Sequence, residues 1–115
     1  MMRAGKATTT SDKAATHDTT MPLLDSMYSE FKELSKKKPD AAVSKSKINI
    51  TNRLLSRVRT ILNDEASIDF LDLLDEDNMP QVSDVTLILS QYMAAMKEFH
   101  KKYHGWDGPE QRWFT

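Results

Sequence analysis

The pattern in residues 83–105 constrains the fold more than any other part of this sequence. Apolar side chains recur there at steps of three and four residues, which places them on one face of an α-helix. They are Val85, Ile88, Leu89, Tyr92, Met96, Phe99 and Tyr103. Ser83 is a preferred N-cap, and Gly105 suits the left-handed position that follows a helix end. The segment therefore predicts a long amphipathic helix that buries one face against the rest of the chain.

Two earlier segments carry the same period and predict two more long helices, over residues 21–38 and 40–63. In the first, Pro22 fits the first turn, and Pro39 ends the helix. Its apolar stripe is Leu24, Met27, Tyr28, Phe31 and Leu34. The stripe of the second is Val43, Ile50, Leu54, Val58 and Ile61, widened by Leu55 and Leu62. A shorter apolar run predicts a short helix over residues 67–75.

The remaining segments are interpreted by what they can bury. Residues 1–20 hold mostly Thr, Ala, Ser, Lys and Asp, so we expect a disordered N-terminal arm. Residues 106–115 contain turn residues but no period, and form an aromatic C-terminal tail. No alternating strand pattern is present. The sequence therefore predicts an all-α fold, a small antiparallel bundle of three long helices and one short helix over residues 21–105.

Composition narrows the class of protein. A chain of 115 residues allows one domain with tails, and its net charge of −1 is not that of a polycation built for nucleic acid. Cysteine is absent, which excludes disulfides and thiolate chemistry and fits a reducing compartment. No apolar run approaches the roughly 20 residues that span a bilayer, and no apolar region follows Arg3 and Lys6 as in a secretory signal. We expect a cytoplasmic protein.

Charge is divided along the chain. Residues 41–63 carry bases and no acid, whereas residues 64–84 carry acids and no base. Four basic residues of the second helix lie away from its apolar stripe: Lys45, Arg53, Arg57 and Arg59. Such a face can neutralise phosphates or meet an acidic partner. The plainer interpretation is a solvated helix face that pairs loosely with the acidic segment.

Catalytic and metal chemistry find little support. His100 and His104 are four residues apart and could both face one ion, but the glutamate of an H-E-x-x-H motif is replaced by Lys101. The acidic residues 75–78 lack the glycine and the terminal glutamate of a calcium loop. Only three glycines occur, so phosphate-cradling loops and nucleophile elbows are absent. We expect no catalytic residues, no metal and no cofactor, and hence no enzyme.

The tail contains Trp106, Trp113 and Phe114, which are costly to leave in water. They either fold back on the helices or anchor a partner. We expect Trp106 to fold back, and leave the other two open. The leading hypothesis is a non-enzymatic protein–protein interaction module that binds another protein or a second copy of itself, with the tail as candidate contact. The alternative is a nucleic-acid-binding module that uses the four basic residues of the second helix. The sequence indicates neither a membrane partner nor a small-molecule substrate.

Overall fold

The structure is a computed structural model that describes residues 7–115. It contains three α-helices: α1 (Ser11–Lys37), α2 (Lys45–Ile61) and α3 (Val82–Tyr103). Two short 3₁₀ helices, Ala66–Phe70 and Glu76–Asn78, lie between α2 and α3, and two strands follow, β1 (His104–Asp107) and β2 (Glu110–Trp113). The predicted predominance of helix is confirmed, while the regular antiparallel bundle stays a prediction. None of the helices in this part of the chain is long and apolar enough to cross a membrane.

The first helix begins ten residues earlier than predicted. Thr10 caps it by accepting a hydrogen bond from the Lys13 N–H at 3.1 Å, and the first two turns bury Ala14 and His17. The prediction of a disordered arm is therefore wrong for residues 11–20, and its residues 1–6 lie outside the described residues. The buried side chains here are small or polar, so they leave little hydrophobic signal. Pro22 consequently lies inside α1 rather than in its first turn.

The second helix begins at Lys45 rather than at residue 40, because the residues before it pair elsewhere. The Val43 N–H donates to the Pro80 carbonyl at 3.0 Å, which holds the connection in an extended conformation beside the start of α3. Ser44 then caps α2 by accepting from the Lys47 N–H at 3.2 Å. This pairing fixes where both helices begin.

The predicted short helix over residues 67–75 is also wrong. A 3₁₀ helix ends at Phe70, and an extended segment follows in which Leu71 and Leu74 are buried. Two leucines three residues apart can reach the same core from extended chain when the backbone is held by other groups. The groups that hold it are side chains of α2 and α3, described below.

The third helix carries the centre of the core, as its pattern predicts. Leu89, Tyr92, Met96 and Phe99 are buried along one side, and α1 and α2 both contact this helix. The N-cap is Gln81 rather than Ser83. The helix ends two residues before Gly105, since the chain enters a strand there.

Residues 104–113 form an antiparallel hairpin, so the absence of strands was a wrong prediction. Gly108 is the first residue of the two-residue loop and has φ of +68°, as a type II′ turn requires. The tail folds back through Trp113, whose indole N–H donates to the Asp18 carboxylate at 3.1 Å. Trp106, expected to fold back, is 65 % exposed. It lies in β1 opposite Gln111. This pair is two residues nearer the turn than the pair of His104 and Trp113, which contacts the helices.

Candidate functional site

A groove of about 590 Å³ runs between α1 and α2 and opens to solvent. Residues 20–34 of α1 form one wall, and residues 47–57 of α2 form the other. We call it the α1/α2 groove. Its position follows from the two helices themselves, because each carries apolar residues on a wider arc than the core covers.

The lining of the groove is apolar. Four apolar residues of α1, spaced by four, four and three positions, line the groove. Two apolar residues of α2, one turn apart, line the opposite wall. They are Leu23, Met27, Phe31, Leu34, Ile50 and Leu54. Leu23 is 56 % exposed and Ile50 is 48 % exposed. By contrast, the neighbouring Leu24 and Leu55 are fully buried, so each helix divides its apolar residues between the core and this open face. The other four lining residues are half-buried against the core, so the groove is an apolar cleft with two exposed side chains, and apolar clefts of this volume are the usual setting of binding sites.

Positive charge borders the apolar lining. Lys47, Arg53 and Arg57 reach the groove from α2, and Glu30 is the one acidic residue among those lining it. Within residues 7–115 none of the three cations takes part in an ion pair. We call these three the basic rim. An apolar surface beside uncompensated cations favours an amphipathic ligand with acidic groups.

The four basic residues predicted for nucleic acid do not share one surface. Arg53 and Arg57 lie in the groove, whereas the Arg59 guanidinium donates to the carbonyl of Leu71. Residues two apart on a helix are separated by about 200°, so Arg59 faces away from Arg57. Lys45 is exposed at the first position of α2. The four residues therefore divide between a groove wall, a backbone contact and a helix end.

On the side of α2 opposite the groove, side chains hold the extended segment 71–75 by its backbone. The Asn52 amide donates to the Leu74 carbonyl and accepts from the Leu74 N–H, both at 2.8 Å. The Tyr92 hydroxyl donates to the Asp72 carbonyl at 2.9 Å. Burial raises the pKa of Tyr92, against the opposing influence of Arg59, so the phenol stays protonated as a donor. Sequence reasoning missed Asn52, since nothing in α2 indicates a partner 22 residues away.

Because the backbone of segment 71–75 is held from inside, residues 69–77 expose every side chain except those of Leu71 and Leu74. The exposed set comprises Asp69, Phe70, Asp72, Leu73, Asp75, Glu76 and Asp77. We call it the acidic surface. None of its carboxylates forms an ion pair with another residue in the described part of the chain. The acidic half of the divided charge is thus displayed rather than neutralised by α2.

Three histidines pack around Trp113 at the other end of the molecule. The His17 ring, almost fully buried, contacts the Met96 carbonyl through Nε2 at 3.0 Å. The His100 and His104 rings stack with centroids 4.3 Å apart, and Trp113 lies 5.2 Å from each. Burial, His104 and then His17 lower the pKa of His100, while Asp18 opposes them. Over residues 7–115 no group of three or more potential ligands is placed to hold a metal ion.

The tail residues predicted to bind a partner lie away from the groove. Trp113 is partly buried against the core, and the Phe114 backbone bonds to Thr9 and Tyr103 at 2.8 and 2.7 Å. Trp106 alone of the three is exposed, and none of them lines the groove. Comparison with protein-family models, curated proteins and solved structures gives no match to this chain.

Proposed function

We propose that this chain is a non-enzymatic protein-interaction module that binds an amphipathic helix with acidic flanks in the α1/α2 groove. The observation that carries the proposal is the open apolar lining beside the basic rim, whose three cations form no ion pair with any of residues 7–115. We take the three helices as one antiparallel bundle, and the protein as cytoplasmic, as the sequence predicts.

The dimensions of the groove suit a short helix. Residues 20–34 of α1 line it, which at 1.5 Å per residue corresponds to a wall of about 21 Å. A partner helix of about four turns matches that length, and its apolar residues would recur at i, i+3 or i+4, and i+7. Covering Leu23 and Ile50 removes half-exposed apolar area from water, worth roughly 1 kcal/mol for each side chain.

The charges decide which amphipathic helix is preferred. The basic rim lies on the α2 wall, so glutamates along one flank of the partner come within reach of Arg53 and Arg57. Rim charges of this kind contribute mostly to selectivity and association rate, and the apolar contact supplies most of the affinity. Reversing the rim charges should therefore change the preferred partner more than it weakens all binding.

Fluorescence anisotropy with two designed helical peptides tests this proposal. Both have about 18 residues and the same leucine ridge, and they differ only in carrying glutamate or lysine on the flanks. We expect the wild type to bind the glutamate peptide at least tenfold more tightly, or about 1.4 kcal/mol. The variant Arg53→Glu/Arg57→Glu should reverse that order. Lys97→Glu/Lys101→Glu is the matched control, since these exposed lysines have the same spacing on α3.

Equal binding of the two peptides, or equal effects of the two charge reversals, would contradict the proposed site. The nucleic-acid alternative stays a prediction, and one further titration addresses it. In this titration the protein is mixed with duplex DNA or single-stranded RNA over a series of salt concentrations. The alternative is favoured over a helical partner if binding falls steeply with salt and is lost in Arg53→Glu/Arg57→Glu.

A further inference from the structure

We infer that the α1/α2 groove receives the acidic surface of a second copy of this chain, so that copies associate head to tail. The inference rests on the proposed function, because it uses the same groove, but here the occupant is a 3₁₀ helix and an extended segment rather than a four-turn helix. It begins from the fact that one chain displays both an apolar groove with a basic rim and an exposed acidic, partly apolar segment.

The two surfaces lie on opposite sides of α2. Ile50 and Arg57 face the groove, whereas Asn52 and Arg59 hold the segment that carries the acidic surface. Ile50 is two positions before Asn52, and Arg57 is two positions before Arg59. Two positions correspond to about 200° around the helix, so the members of each such pair point in nearly opposite directions. A chain therefore cannot place its own acidic surface in its own groove, and the complementary charges remain available to another molecule.

The two surfaces carry charges of opposite sign, and the carboxylates outnumber the cations. Three cations border the groove, and five carboxylates, those of Asp69, Asp72, Asp75, Glu76 and Asp77, are exposed on the acidic surface. Lys13 and Lys102 pair with Asp64 and Glu65, which precede the acidic surface. No cation of residues 7–115 pairs with the five carboxylates themselves. Both halves of the divided charge are thus left for an intermolecular contact, which would be steered electrostatically.

The acidic surface also carries the apolar groups that such a groove needs. Phe70 is 77 % exposed and Leu73 is 43 % exposed. Asn52 and Tyr92 already fix the backbone beneath them, so docking orders few additional dihedrals. Preorganisation of this kind reduces the entropic cost of association. Phe70 is the largest side chain offered to the groove.

Opposite placement of the two surfaces determines the type of assembly. A contact that joins two different surfaces is heterologous, and it continues to a third copy unless the rotation closes a ring. We therefore expect species larger than a dimer, whose abundance rises with protein concentration and falls with salt.

Sedimentation velocity of paired variants tests the inference on the full chain. Arg53→Glu/Arg57→Glu disables the groove and leaves the acidic surface intact. Phe70→Ser/Leu73→Ser removes the exposed apolar groups of the acidic surface, keeps its carboxylates and leaves the groove intact. Each variant alone should be monomeric, and an equimolar mixture should form a dimer that cannot extend, because only one productive contact remains. Circular dichroism melts verify that these exposed substitutions leave the fold unchanged.

Two results would overturn head-to-tail association. One is a wild type that stays monomeric up to millimolar concentration, and the other is a variant mixture that behaves as two separate monomers. The glutamate peptide separates this failure from failure of the proposed function. A monomeric wild type that still binds the peptide retains the groove as a site for a different protein. A wild type that neither associates nor binds the peptide loses both.

Discussion

Replacing Asn52 with alanine removes the one side chain that bonds to both backbone groups of Leu74. The amide makes two hydrogen bonds of 2.8 Å, and Leu74 is buried. After truncation, the Leu74 N–H and carbonyl lose their partners beneath the acidic surface. The extended segment must then either keep two unsatisfied groups or detach from α2.

The expected cost follows from those two groups. Leaving a buried donor or acceptor unsatisfied costs about 1–3 kcal/mol, and partial access to water places the pair at about 2–4 kcal/mol in total. Alanine regains up to about 0.7 kcal/mol of helix propensity over asparagine. Asn52→Ala should therefore lower the free energy of unfolding by about 1–4 kcal/mol.

Urea unfolding followed by circular dichroism measures this difference, with Asn49→Ala as the control. Asn49 is exposed on the same helix, so it reports the propensity change alone and should leave the protein equally or slightly more stable. If the two variants unfold at the same urea concentration, the bonds to Leu74 do not hold the segment. The account of how the acidic surface is displayed would then be refuted.

Three further predictions concern the packing, the pH dependence and the hairpin. Leu24→Ala should cost about 2–5 kcal/mol in thermal unfolding, since Leu24 is fully buried. Leu23→Ala, at an exposed position, should cost under about 1 kcal/mol. Equal losses of stability in Leu24→Ala and Leu23→Ala would refute the assignment of Leu24 to the core and of Leu23 to the groove. Because burial lowers the pKa of His100 from 6.5, the unfolded chain takes up the proton first. The wild type should lose more stability than His100→Gln as the pH falls below 6.5, and parallel pH profiles would contradict this. Gly108→Ala should weaken the hairpin by about 1 kcal/mol, because φ is +68° there. On heating, the emission of Trp113 should then change at a lower temperature than in the wild type. A change at the same temperature would count against this prediction.

The sequence predicts α3 well because the apolar stripe and the approximate ends of that helix all lie within one segment. The first half of α1 is different, since burial of Ala14, His17 and Thr20 depends on a distant helix and adds little apolar area. The hairpin is different again. Its turn residues are visible, but its strands of four residues each are stabilised by contacts between Trp113 and α1 that no local pattern contains.

The groove was predictable only in part. The outward position of Arg53 and Arg57 follows from the helical period, whereas the exposure of Ile50 does not. Periodicity assigns Ile50 and Leu54 to the apolar side of α2 without indicating that this side is wider than the core. Which apolar residues stay uncovered depends on how α1, α2 and segment 71–75 divide the surface of α2, and that division is set by tertiary contacts such as those of Asn52.

Methyl NMR spectra of the full chain, recorded during titration with the glutamate-flanked peptide, test the proposed groove most directly. Leu23, Ile50 and Leu54 line it, and their methyl signals should shift progressively to saturation. Leu87 is the internal reference, because it is 62 % exposed on α3 and does not line the groove. Shifts confined to the groove methyls are the predicted result. Shifts centred on Leu87, or no saturable shift at Ile50, would contradict the account.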